Sequence, residues 1–169
     1  MADPRQTRYN YGVQEQSFKV ARGHEEPYAV QFSVFLANRV GQLKDLMGVF
    51  PERSVEILGV SIVDSTDWAV VRIVSSDANA ARALLQEHSL AFTESNVLLV
   101  ELDGHAALSN ICRHLVGAEL NVNYAYPLTI RSNNHPVMVF HVDDHVMATQ
   151  VLKSHGFTLI GHEDLRDPE

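Results

Sequence analysis

Phe35-Leu36-Ala37-Asn38-Arg39-Val40-Gly41-Gln42-Leu43 ends an apolar strand, turns between Asn38 and Gly41, and opens a helix that continues Lys44-Asp45-Leu46-Met47. Upstream, the run from Tyr28 to Ala37 places Val30, Phe32, Val34 and Leu36 at every second position, which is strand periodicity. Downstream, Leu43, Leu46, Met47 and Phe50 fall on one helix face until Pro51 stops the helix. A helix start leaves backbone N–H groups without partners and carries a partial positive charge, so this turn is a seat suited to a carboxylate. Gly41 lets a ligand or another backbone approach more closely than any Cβ would permit.

Working outward, Ser54 to Ile62 reads as a second strand, Ser65-Thr66-Asp67 as a hairpin turn and Trp68 to Val74 as a third strand. Asp77 caps a helix that buries Ala80, Ala81, Leu84 and Leu85, and Leu90 to Glu94 closes the unit as a short fourth strand. The order β-α-β-β-α-β is the ferredoxin-like pattern, two helices over one face of a four-stranded antiparallel sheet. It then begins again. Val97 to Leu102 is a strand, Asp103-Gly104-His105-Ala106 a turn, and Ala107 to Val116 a helix using Leu108, Ile111, Cys112 and Leu115. Leu120 to Ile130 and Pro136 to Val142 form a hairpin around Ser132 to His135. A helix from Asp144 turns Val146, Met147, Val151 and Leu152 inward and leads to a last strand, Phe157 to Ile160. Leu43 overlays Leu108 at an offset of 65 and Val74 overlays Val142 at 68, so the second copy has a hairpin three residues longer. The fold class expected is α+β, with two tandem ferredoxin-like units over residues 27–95 and 96–163 and a short tail at 164–169.

Composition sets the bounds. The 169 residues, 46% hydrophobic and 20% charged, are those of an ordinary globular protein with a formal charge of −8. The basic residues are scattered, which argues against a nucleic-acid surface. Cys112 is the single cysteine, so no intrachain disulfide forms, and its place in a helix suggests a small buried hydrophobe. There is no apolar leader and no run of the roughly 18 apolar residues that would cross a bilayer, so a cytoplasmic protein without a membrane partner is expected. Residues 1–26 hold a short alternation at Tyr9, Tyr11 and Val13, which fits an arm docked on a sheet edge or a neighbouring subunit as well as a disordered leader. No nucleophile elbow, phosphate loop, zinc-protease helix or Cys-x-x-Cys occurs, so neither an enzyme nor a cofactor is expected.

Asn38-Arg39-Val40-Gly41-Gln42-Leu43 is similar to the Asn-x-x-Gly-x-Leu of ACT domains, and Val55-Glu56-Ile57 stands where that family often has Val-Asn-Ile. In the second copy Asp103 replaces the Asn and Ala106 the Gly, while Asn121-Val122 restores the later pattern. The chain thus resembles a tandem ACT-domain protein, a family of amino-acid-sensing regulatory modules. The resemblance implies side-by-side pairing of sheets and an effector in the crevice between paired domains. The effector would meet residues 38–43, with Glu56, Ile57, Asn121 and Val122 contributing from the paired domain and Asp103, His105 and Ala106 forming a second seat that lacks the glycine. It also implies a small amino-acid effector, a homodimer through sheet edges and an enzyme of amino-acid metabolism as partner.

Bland readings stand beside these. Asn38 is a common helix cap and Gly41 a common turn residue, and Gln42 bonds a ligand or faces water. His141, Asp143, Asp144 and His145 form a minor metal hypothesis against a solvated loop. His105 is a pH-dependent carboxylate contact or an exposed loop residue. Trp68, Tyr124 and Tyr126 are core or interface residues, or an apolar wall for an aromatic ligand. The expected function is a non-catalytic ligand sensor, with an empty assembly module and a metal-responsive protein as alternatives.

Overall fold

A computed structural model describes residues 27–65 and 67–165. The N-terminal arm, Thr66 of the first hairpin and residues 166–169 of the tail lie outside the described residues. The chain runs β1 (Ala29–Ala37), α1 (Gln42–Val49), β2 (Ile57–Asp64), β3 (Trp68–Ser75), α2 (Ala78–Glu87), β4 (Phe92–Glu101), α3 (Ala107–Gly117), β5 (Val122–Ser132), β6 (His135–Val142), α4 (His145–Ser154) and β7 (Leu159–Ile160). Pro51 lies in a 3₁₀ turn, Phe50–Arg53, that follows α1. A second 3₁₀ turn, His162–Leu165, follows β7.

β4 is the main departure from the sequence reading. The short strand ending at Glu94 and the strand starting at Val97 are one strand of ten residues. Its first part pairs with β1, from Phe92 opposite Val34 to Val97 opposite Ala29. From Leu98 it pairs with β6, and Leu99 and Val100 also pair with β7. Ser95 and Asn96 look like a loop in sequence, but both lie in the ladder with β1, opposite Gln31 and Val30. The result is one seven-stranded sheet, ordered β2-β3-β1-β4-β6-β5 with β7 beside β4. Two ferredoxin-like units, hereafter unit 1 and unit 2, share a strand.

Each unit buries one sheet face under its helices. In unit 1, Phe32, Val34 and Leu36 pack on Leu46, Phe50, Leu84 and Leu85. In unit 2, Leu98, Val100 and Phe140 pack on Ile111, Leu115, Ala148 and Leu152. The other two faces meet in a third core, where Ala29, Leu58 and Val74 of unit 1 lie with Tyr126, Leu128 and Val139 of unit 2. The sheet therefore curls until its outer strands touch. The Thr129 hydroxyl of β5 donates to the Leu58 carbonyl of β2 at 2.9 Å. Gly59 is the point of closest approach: a Cβ there would lie 2.5 Å from Leu128 and 3.3 Å from Tyr126. Leu165 is fully buried in this inner core.

The helix stripes are narrower than the sequence suggests. Only Ala107, Ile111 and Leu115 of α3 are buried, and Leu108 and Cys112 are exposed. Likewise Leu43, Val146 and Met147 are exposed, and α4 buries Ala148 and Leu152. Short helices over a curled sheet bury one residue per turn, so flanking apolar positions reach the surface.

Candidate functional site

The turn after β1 is stitched to the β2–β3 hairpin. The Asn38 backbone N–H donates to the Asp67 carbonyl at 3.1 Å. Its side-chain amide donates to Asp64 Oδ1 at 2.9 Å and to the Ser65 carbonyl at 3.2 Å. Asn38 is thus not the helix cap; Gly41 holds that position, without a side-chain cap, at φ 94°. That left-handed conformation is open to glycine at little cost, which explains the glycine here. The Arg39 N–H returns to the Ala37 carbonyl at 2.8 Å, turning the chain sharply into α1.

Between the first turn of α1 and the ends of β2 and β3 lies a cavity of about 300 Å³. Asn38, Arg39, Gln42 and Leu43, all expected from the sequence, line it, together with Asp64, Ile62 and Val71. Val40 is fully exposed and does not line it, and Gly41 shapes the turn rather than the wall. Nothing in the local sequence marks Asp64, but the topology does: β1 and β2 run the same way, so their C-terminal ends share one rim.

Glu56 and Ile57 sit at the other end of unit 1. They line a separate, more open cavity of about 550 Å³ with Met47, Phe50, Pro51, Ser54 and Val55. The Glu56 N–H donates to the Ser76 hydroxyl at 3.0 Å. A helix that returns the chain to the start of the sheet makes this separation unavoidable within one unit. Asn121 and Val122 occupy the same place in unit 2: the Asn121 N–H donates to Asp143 at 3.1 Å and Val122 pairs with Val142. The Asn38 and Asp103 turns flank opposite ends of β4, about 30 Å apart along ten strand residues. The structure therefore does not gather the expected residues into one site.

The turn of unit 2 is built differently. Ala106 precedes α3 at φ −98°, and the left-handed position belongs instead to Gly104 at φ 97°. His105 is exposed. His135, from the β5–β6 hairpin, stands 3.5 Å from Asp103 and 3.7 Å from Glu101. Glu101 is buried, and Asn133 donates to it at 2.8 Å. The two-residue hairpin that delivers these groups has Asn133 and Asn134 both at positive φ, as a type I′ turn needs.

The aromatic residues divide. Trp68 is exposed at the start of β3, whereas Tyr124 and Tyr126 join the units. Fully buried Gln31 donates to the Tyr124 hydroxyl at 2.7 Å and accepts from the Tyr126 hydroxyl at 2.8 Å. Burial, and then the neighbouring Tyr124, push the Tyr126 hydroxyl far above its ordinary pKa, with Arg72 acting the other way. The Arg72 guanidinium lies 3.8 Å from the centre of the Tyr124 ring, a cation–π contact. His141 stacks on the same ring at 4.7 Å. Burial first, then Arg72 and His145, lower the His141 pKa.

The four residues of the metal hypothesis are engaged separately. Asp143 accepts from Asn121 and Asp144, Asp144 caps α4 through the Met147 N–H, and His145 lies edge-on to Tyr28. Among the described residues no three His, Cys, Asp or Glu side chains are arranged to hold a metal ion. Among the same residues no helix is long and apolar enough to cross a membrane.

The sequence matches the family model of the ACT domain pair over residues 28–167, and the chain belongs to that family. A crystal structure of a Bacteroides thetaiotaomicron protein is similar over 83% of this chain and 96% of its own, with 23% identity and a TM-score of 0.75. The regulatory subunit of aspartate kinase from Thermus thermophilus is similar over 78% of this chain and 95% of its own, at 8% identity and a TM-score of 0.52. Aspartokinase alpha and beta subunits match over 76% and 93%, at 14% identity and a TM-score of 0.52. At these identities the likenesses concern the fold. No curated protein is similar enough to the sequence to count as a match.

Proposed function

We propose that the protein is a non-catalytic regulatory protein of the cytoplasm that binds a small amino acid or related metabolite at the unit 1 turn and signals to a partner in amino-acid metabolism. The observation that carries this reading is the cavity at the Asn38–Leu43 turn, where the family motif, a left-handed glycine and the hairpin acid Asp64 meet.

The cavity opens beside β2, an outer strand whose Val60, Ile62 and Val63 are exposed. In our reading a second copy pairs along the part of this edge that β5 leaves open, Val60 to Asp64, and ligand held at the paired edge favours the paired state by its differential affinity. The same exposed edge also favours a second reading, a homodimeric assembly module that takes no ligand.

A thermal-shift screen against the twenty amino acids separates the two. Ligand at about a hundred times its Kd stabilises the native state by roughly 2.7 kcal/mol. For a chain of this size that is a rise of about 5–10 °C in Tm. The sensor reading expects such a rise for one chemical group of amino acids, lost when Ala69 of β3, which also lines the cavity, is enlarged in Ala69→Leu. An assembly module expects none.

A further inference from the structure

The lining of the unit 1 cavity specifies its occupant more narrowly. Two of its residues carry charge, one of each sign: Arg39 on the turn and Asp64 at the end of β2. Arg39 is exposed and has no carboxylate partner among the described residues. One oxygen of Asp64 accepts from Asn38, and the other has no partner among them. A cation and an anion on the rim of one small cavity match the two ends of a zwitterion, an α-carboxylate and an α-ammonium group. Asn38 and Gln42 add neutral amides, and the remaining lining residues are aliphatic, among them Leu36, Leu43, Ile62 and Val71. Leu43 and Ile62 are 41% and 49% exposed, so apolar surface is left bare at the mouth, above the buried Leu36 and Val71. No further acid lines the cavity to neutralise a basic side chain, and no further base to neutralise an acidic one. A second ligand charge would be desolvated without a partner.

We propose that the unit 1 cavity selects α-amino acids with uncharged aliphatic side chains, with Arg39 holding the α-carboxylate, Asp64 the α-ammonium group, and Leu36, Leu43, Ile62 and Val71 the side chain. This rests on the sensor reading above and adds the class of effector. Selection follows from subtraction: an aliphatic side chain gains apolar burial, whereas a lysine or aspartate side chain must leave its charge unpaired or turn it back to water.

The test is titration calorimetry of the full chain with L-leucine, L-valine, L-lysine, L-threonine, L-aspartate and 4-methylpentanoate, which is leucine without its amino group. L-leucine or L-valine should bind at least about tenfold more tightly than the charged amino acids and L-threonine. 4-Methylpentanoate should bind at least about tenfold more weakly than L-leucine, and Asp64→Asn should abolish that difference. Ile62→Asp should reverse the preference in favour of L-lysine. Tighter binding of lysine, threonine or aspartate to the wild type would overturn the aliphatic assignment while leaving the sensor reading in place. Equal binding of leucine and 4-methylpentanoate would overturn the role of Asp64. Heat from none of the six, with a folded protein by circular dichroism, would overturn the aliphatic assignment, and no thermal shift with any of the twenty amino acids would overturn the sensor reading as well.

Discussion

The turn after β1 and the turn after β4 begin from the same motif and end as opposites. In unit 1 the hairpin offers the turn an acid, Asp64, which takes one bond from Asn38 and leaves an aliphatic hollow beside it. In unit 2 the hairpin offers an imidazole, His135, which stands between Asp103 and the buried Glu101. One turn is bordered by a cavity and the other by side chains of its own unit. Duplication has supplied two frames, and the side chains at the hairpins decide which remains available. Changes to these elements sharpen or break the comparison in a definite order.

The largest effect is expected from the frame that both turns share. Gln31→Leu leaves the buried Tyr126 hydroxyl without its acceptor and should cost about 2–3 kcal/mol. A fall in Tm of roughly 5–10 °C, with loss of cooperativity between the units, checks this. Next come the reciprocal changes at the two helix starts. Gly41→Ala forces a Cβ into a left-handed conformation and should cost about 1–2 kcal/mol. Ala106→Gly, at an ordinary φ, should cost less than about 1 kcal/mol in the same urea titration. Equal costs would mean that the two turns do not differ in backbone strain.

A smaller effect depends on pH. Because His141 has its pKa lowered on folding, the unfolded chain takes up a proton at a higher pH than the folded one. Its contribution to stability is therefore complete above the ordinary histidine value of 6.5 and fades as the pH falls below it. Urea unfolding at pH 7.5 and 5.5 should show a loss that is smaller, by less than about 1 kcal/mol, in His141→Phe, which keeps a ring against Tyr124; His114, whose pKa is also lowered, keeps its own share. Smallest are the exposed hydrogen-bonding and ionic contacts of the turns: about 0.5–1 kcal/mol for Asn38→Ala and less than about 0.5 kcal/mol for Asp103→Ala.

The order of elements was legible in the sequence because strand and helix periods alternate cleanly from Tyr28 to Ile160. The shared strand was not, since Ser95 and Asn96 interrupt the apolar run where the ladder changes partner. The offset of 65 holds for the first helix of each unit, where Leu46 and Ile111 are both buried, but the offset of 68 expected after the hairpin does not: the caps of the second helices, Asp77 and Asp144, lie 67 apart. In the strands Val34 and Val100 both face the helices, 66 positions apart. A slip of one residue exchanges the faces of a strand, so the equivalent of Glu101 is Phe35 on the inner face and not Leu36. That the second turn is one residue shorter also explains why its left-handed residue is Gly104 and why Ala106 looked like a lost glycine. The motif residues Asn38, Arg39, Gln42 and Leu43 could be read locally. Asp64, His135 and Glu101 could not, because each meets its turn only through the curl of the sheet. The helical spacing of the apolar Leu43 and Leu108 predicts core positions, yet both lie on the surface beside the turns.

Hydrogen exchange of the wild-type protein with and without saturating L-leucine tests most directly that one turn binds and the other does not. Slower exchange confined to residues 38–43 and 62–71, with residues 103–108 and 135 unchanged, is the predicted result. Slowing at the unit 2 turn, or no change at unit 1 under conditions where leucine raises Tm, would contradict it.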